Sequence, residues 1–238
     1  MTRTMVQKTI NMPVLPAAEK TASGRDPYDG LRFWSAFTHG AGAVFSAAGG
    51  AALLAAAALR GADAQTVTAL SIYTASMVLL YLASCLYHCV NTSVRGRLLL
   101  RKLDHAMIYV LIAGSYTPFC VAYMPAGERE IFLGCLWAAA FLGILFKLVW
   151  LDAPRWIGTL IYLAMGWSIL VDLPAFASMP TACLVLVAAG GISYSVGAVM
   201  YIAKRPNLSP NWGFHELFHL FILAGSLLHF LAVFLFVA

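Results

Sequence analysis

The chain has 238 residues, 61% of them hydrophobic and only 11% charged, with a formal net charge of +5 and a mean hydropathy of +0.82. A soluble domain carries about a quarter charged residues, so this composition excludes a soluble globular enzyme and defines an integral membrane protein. The five cysteines (Cys85, Cys89, Cys120, Cys135 and Cys183) all fall in apolar runs, an odd and buried set that excludes a disulfide framework.

Residues 1–30 are polar, contain proline and lack the continuous apolar block of a cleaved secretory signal. They read as a disordered or weakly amphipathic cytoplasmic tail ahead of a membrane domain over residues 31–238. A helix needs about 20 apolar residues to cross the hydrocarbon. Seven segments meet that length, near residues 36–59, 67–90, 103–123, 131–150, 157–176, 181–203 and 213–236. Their short connections make neighbours antiparallel, giving an all-α seven-transmembrane helical bundle without a repeat or a second domain. The first span carries G-A-G-A-V-F-S-A-A-G-G-A-A over residues 40–52, small residues that allow close helix packing in lipid. Pro118 and Pro174 are expected to kink their spans. Lys147 is expected to snorkel to the cytoplasmic face.

The basic residues sort by side. Arg3, Lys8, Lys20, Arg25, Arg32, Arg95, Arg97, Arg101, Lys102, Lys147, Arg155, Lys204 and Arg205 fall at one end of the spans, and only Arg60 and Arg129 at the other. The positive-inside rule then puts the N-terminus in the cytoplasm and the C-terminus outside a multi-pass cell membrane protein. The positive charge is a topology signal with anionic headgroups as its neighbours. It does not indicate nucleic acid.

All six histidines lie in or beside spans, where ionisable groups are costly and are functional candidates by default. With this orientation His39, His88, His105, His215 and His219 gather with Asp104 in the cytoplasmic third of the bilayer. S-C-L-Y-H sets Ser84 and His88 four residues apart, on one helix face, and H-E-L-F-H does the same for His215 and His219. H-E-L-F-H also spells the H-E-x-x-H of a zinc protease. Glu216 points about 100° away from His215 on a helix, an offset that zinc proteases share and that leaves it open as a base; what is missing is a downstream protease-type ligand. Glu216 reads instead as the partner of a nearby base or of His39. The third donor is better supplied by His88. Three imidazoles from two helices suit Zn²⁺ with a water at the fourth position, held by Asp104 and oriented by Ser84. The plainer alternative is a set of helix-end histidines bonded to carbonyls or headgroups, with Asp104 an N-terminal cap and Ser84 bonded one turn back. His229 lies about 15 Å beyond His219 along the helix axis, too far to join them.

The joint pattern resembles the progestin and adipoQ receptor (PAQR) family. It consists of Ser-x-x-x-His ending the second span, an Asp opening the third, and His-x-x-x-His opening the seventh. The words T-H-G-A-G-A (38–43), L-D-H-A-M-I-Y (103–109), A-G-S-Y-T-P-F (113–119) and H-E-L-F-H-L-F, followed by G-S-L-L-H-F, resemble its bacterial hemolysin III branch from about residue 31 onward. The resemblance implies a seven-helix bundle, a zinc ion on His88, His215 and His219, and a water contacted by Asp104. It also implies supporting positions at His39 and His105, and a fold shared with enzymes that hydrolyse a lipid amide. Two functions follow as expectations. One is a zinc-dependent intramembrane lipid amide or ester hydrolase of membrane lipid homeostasis, with membrane lipids as partners and a lipid substrate in the bundle. The other is a non-enzymatic membrane protein with structural zinc and cytolytic, pore-forming activity. The sequence leaves the oligomeric state open.

Overall fold

The computed structural model describes residues 28–238, so the tail expected over residues 1–30 lies outside the described residues up to position 27. Helices α1 (Phe33–Leu59), α2 (Ala64–Cys89), α3 (Val94–Tyr123), α4 (Ala126–Val149), α5 (Arg155–Gly166), α6 (Thr181–Ala203) and α7 (Phe214–Phe236) follow in order, and a 3-10 segment Ser168–Phe176 prolongs α5. Taking α5 with that segment, all seven are long and apolar enough to cross a bilayer. The described residues hold no β-strand.

Apolar side chains surround each helix, so burial is decided by which face carries small and polar residues. On α1 the inward stripe is Ser35, His39, Gly42, Ser46, Gly50, Leu53 and Ala57, a three-and-four spacing that puts all seven on one side. α3 is the central helix: 61% of its apolar stretch is buried, against 22% in α1, α4, the α5 span and α6. α1, α2, α3 and α4 pack in sequence, α6 packs along α7, and α1 against α7 closes the ring. α5 touches α3, α4 and α6 only along short stretches. α6 and α7 approach closely because two glycines face them. A Cβ on Gly190 would lie 2.3 Å from the His229 ring, and one on Gly225 would lie 2.6 Å from the Tyr194 ring.

The ends are set locally. Gly61, at φ +71, turns the chain after α1. The Thr66 amide then donates to Asp63 at 2.7 Å, capping α2 and holding that carboxylate below its usual range. The Gly96 amide donates to the Ser93 hydroxyl at 3.3 Å, so α3 starts at residue 94 rather than 103. The reason is that R-G-R-L-L-L-R-K has helical propensity without hydrocarbon character, and the helix continues into the interfacial zone where a count of apolar residues stops. Asp104 is therefore ten residues inside a helix, which removes the N-cap alternative. Lys147 also departs from expectation. It is only 4% exposed, with its ammonium over the Phe146 ring at 5.4 Å and drawn against Gly158 of α5. With α5 packed over the last turn of α4, the lysine tip turns into the crevice instead of outward. Among the kinks expected at proline, the helical path breaks at Asp172 (φ −138, ψ 54), two residues before Pro174.

Candidate metal centre

The basic end of the bundle gathers the C-terminus of α2, the N-termini of α1 and α7 and the early turns of α3. His88, in the last turn of α2, meets His215 and His219 from the first two turns of α7. Ring centroids are 5.0 Å (His88–His215), 5.0 Å (His88–His219) and 4.7 Å (His215–His219) apart. One nitrogen from each falls within 4.8 Å of the others, the described group of histidine, cysteine and acidic residues that can hold a metal ion. His88 Nδ1–H donates to the Gly30 carbonyl at 2.5 Å, which fixes the tautomer and leaves the Nε2 lone pair facing His215 Nε2 at 3.3 Å. Metal-bound imidazoles commonly use their second nitrogen in this way. Two nitrogens each about 2.0–2.1 Å from a tetrahedral ion stand roughly 3.3–3.4 Å apart. The donor set therefore fits such an ion without rearrangement of that pair. His219 Nδ1 is buried without a hydrogen-bond partner among the described residues.

Around these rings the expected residues fall into different places. His39, one turn and a half into α1, stacks on His219 at 3.6 Å and 11°, with Tyr81 edge-on at 5.1 Å. Neither His39 nitrogen has a hydrogen-bond partner among the described residues, so its contact is with the face of the ring. Asp104, on α3, lines the same cavity as His39, Ser84, His215 and His219. Its carboxylate lies 3.2 Å from His105 Nδ1, which also bonds the Arg101 carbonyl at 2.9 Å, and the Ser84 hydroxyl faces it. Ser84, His105 and Asp104 thus form one group opposite the three imidazoles.

Glu216 belongs elsewhere. It accepts from Arg32 at 3.1 Å, from the Ser35 hydroxyl at 3.2 Å and from the Gly213 amide at 2.9 Å, tying α1 to the start of α7. Of the two partners expected for it, the base is present as Arg32 and His39 is not. Replacing Glu216 by glutamine is expected to lower stability by about 1–3 kcal/mol, through loss of charge-assisted bonds to a buried group, while metal content stays at the wild-type level. Thermal unfolding and metal analysis of the same preparation check both halves.

Several contributors were not singled out in the sequence for this role. Arg97 is 1% exposed and donates to the Tyr87 carbonyl at 2.5 Å and the Val90 carbonyl at 2.8 Å, pinning the end of α2 around His88. Its signal was visible only as one more basic residue. The Gly30 carbonyl left no signal, because backbone oxygens are not written in side-chain patterns. His229 donates to the Val187 carbonyl at 3.0 Å. Ser226 accepts from Tyr81 at 2.6 Å and lies 2.9 Å from the Tyr194 hydroxyl, so these polar groups answer one another inside the bundle.

From Asp104 and the histidines a cavity of about 220 Å³ runs between α3, α5, α6 and α7. Its walls are apolar side chains such as Ile112, Phe119, Leu163, Val187 and Ile222, and His229 stands at its far end. Leu170 and Leu173 line it and are also exposed on the bundle's outer surface, 61% and 44% respectively.

A seven-helix membrane bundle with a histidine cluster at its basic end defines a class of multi-pass membrane proteins. Residues 33–230 match the model of the family described as "Haemolysin-III related", and the chain belongs to that family. It is 36% identical over 200 residues to a hemolysin-3 homolog of Bacillus subtilis, covering 84% of this chain and 91% of that protein. It is equally 36% identical over 204 residues to hemolysin-3 of Bacillus cereus, covering 85% and 90%. Similarity extends to the heptahelical transmembrane protein ADIPOR2 of Oryza sativa subsp. japonica, 30% identical over 161 residues, covering 59% of this chain and 69% of the relative. That more distant match fits the wider progestin and adipoQ receptor family.

Proposed function

We propose that this protein is a zinc-dependent intramembrane hydrolase of lipid amides or esters, acting in membrane lipid homeostasis, with its basic end in the cytoplasm. The observation that carries the reading is the meeting of three imidazoles with Asp104 at the head of an apolar cavity. His88, His215 and His219 would hold the ion. Zinc supplies Lewis acidity toward a carbonyl oxygen and makes water a nucleophile near neutral pH. Asp104, steadied by Ser84 and His105, would orient the attacking water and accept its proton. The cavity walls exclude bulk water and hold an acyl chain in line with the polar head, and exposed Leu170 and Leu173 give that chain a route from the bilayer. Glu216 takes no part, since its lone pairs are engaged by Arg32, Ser35 and Gly213.

The test is a mass-spectrometric screen of the purified, zinc-loaded protein against lipid amides and esters. Asp104→Asn is expected to keep its metal and to lose turnover by roughly a hundredfold or more, the range of a general base. A zinc-loaded wild type that turns over no lipid overturns the proposal. A second reading, a cytolytic protein with structural zinc, is favoured by the hemolysin names of the two Bacillus relatives. Against it, the cavity is walled by apolar side chains rather than by the charged ring of an ion pathway. Discrete openings in reconstituted planar bilayers, altered by substitutions in the cavity wall, would decide for it.

A further inference from the structure

Both ends of the apolar cavity carry nitrogen atoms that nothing in the wall satisfies. Among the described residues, the buried polar atoms of the cavity wall without a hydrogen-bond partner belong to His39, His219 and His229. The first two stand beside Asp104. His229 stands alone at the other end, ten residues and about 15 Å along α7 from His219. Its Nε2 lies 3.0 Å from the Val187 carbonyl. A carbonyl can only accept, so Nε2 carries the proton and Nδ1 of the neutral ring is an acceptor. The Cδ2–Nε2 edge rests on Gly190, whose added Cβ would fall 2.3 and 2.5 Å from those two atoms. Nδ1 is the vertex opposite that edge and is turned away from Gly190. Phe119 of α3 meets the ring edge-on at 6.4 Å and offers no donor. Tyr194 is also edge-on, at 5.3 Å, but its hydroxyl is engaged at 2.9 Å with Ser226 Oγ, which accepts from Tyr81 at 2.6 Å. The donors nearest the ring are therefore committed to one another. A buried acceptor left unbonded bears its full desolvation penalty, and a donor carried into the cavity by a ligand removes it.

We propose that His229 Nδ1 selects lipid chains that carry a hydroxyl group far from their carbonyl end. The inference rests on the hydrolase reading for the placement of that carbonyl at the histidine cluster. An extended chain advances roughly 1.2 Å per bond, so the 15 Å between the two ends corresponds to about twelve bonds. A hydroxyl at that distance donates to Nδ1. One close to the carbonyl cannot reach it, and a plain chain leaves Nδ1 unpaired. Discrimination by a site built to bond a hydroxyl arises from the group left unpaired when that hydroxyl is missing.

The experiment reads binding and turnover separately on the detergent-purified protein. Binding is followed by thermal unfolding with 12-hydroxydodecanoate, its isomer 3-hydroxydodecanoate, or dodecanoate. Turnover is followed with the amides of the same three acids. The two isomers have the same composition and the same hydroxyl to desolvate, so their difference isolates its position. Wild type is expected to bind the 12-hydroxy acid about tenfold more tightly than the 3-hydroxy isomer, the worth of one hydrogen bond to a buried acceptor. His229→Phe keeps a flat ring against Gly190 and should lose that ratio while still binding dodecanoate. His229→Asn places Oδ1 near the position of Nδ1 and should restore part of it. A purely structural role for His229 would weaken all three acids together and leave the ratio unchanged. Equal binding of the two isomers to wild type, or a ratio that survives in His229→Phe, overturns the assignment. The first of these comparisons needs no variant to fold. A binding ratio without hydrolysis of any amide supports the His229 site and overturns the hydrolase reading alone. Hydrolysis of all three amides, with equal binding of the isomers, overturns this assignment and leaves that reading standing.

Discussion

Alanine in place of His88, His215 or His219 is expected to strip the purified protein of a stoichiometric metal ion. Each of the three contributes one nitrogen to a cluster whose members lie within 4.8 Å of one another. A structural zinc site is worth roughly 10–16 kcal/mol in total, so loss of one ligand should weaken binding by a hundredfold or more. Because an ion that binds only the folded chain stabilises it by mass action, chelation should lower the unfolding temperature of wild type. It should leave that of the three variants unchanged. Elemental analysis of protein purified without chelators, beside unfolding with and without chelator, checks both. Wild type that folds without metal would return the cluster to the plainer role of hydrogen-bonded helix-end histidines, with His88 and His215 sharing a proton across 3.3 Å.

The second large effect is expected at Gly30, which has no side chain to offer a ligand. A Cβ there would fall 2.3 Å from the Tyr87 ring. That ring is buried and covered by the Arg97 guanidinium at 4.7 Å, so it cannot readily swing aside. Gly30→Ala should therefore shift the Gly30 carbonyl off His88 Nδ1 and release the imidazole from its fixed tautomer. Partners of this kind typically change metal affinity 10–100-fold, and competition with a graded chelator would measure it. Gly134→Ala is the control, because nothing lies within 4 Å of its added Cβ. Equal affinities in the two variants would show that the carbonyl does not tune the site.

How much of this was legible in the sequence follows from what each signal encodes. Hydrocarbon thickness is a length requirement on apolar runs, so the seven spans could be read directly. Their polar extensions could not, and α3 begins nine residues before its apolar stretch. Helical spacing put Ser84 with His88 and His215 with His219. Span direction put both pairs at one end with Asp104, and the structure brings these residues to one place. Partners set by packing were out of reach. Glu216 meets Arg32 across 184 positions of chain, and no local pattern separates that outcome from a contact with His39. Lys147 was misread for a related reason. Snorkelling assumes open water beyond the helix end, and here α5 occupies that space. The supports of the histidine cluster, Gly30 and Arg97, act through backbone carbonyls, which composition and motif do not record.

The order of the three clustered histidines along the chain bears on biogenesis. His88 arrives with the second helix, but its partners arrive with the seventh, 127 residues later in the case of His215. Glu216, which locks α1 at Arg32 and Ser35, comes from the same late helix. During insertion the imidazole of His88 and the polar start of α1 must therefore wait, unsealed, while four intervening helices enter the bilayer. Until α7 is in place, an ion of the kind proposed for the cluster would find one of the three nitrogens at most. Full occupancy of the proposed site would thus report that the whole bundle has been threaded and closed.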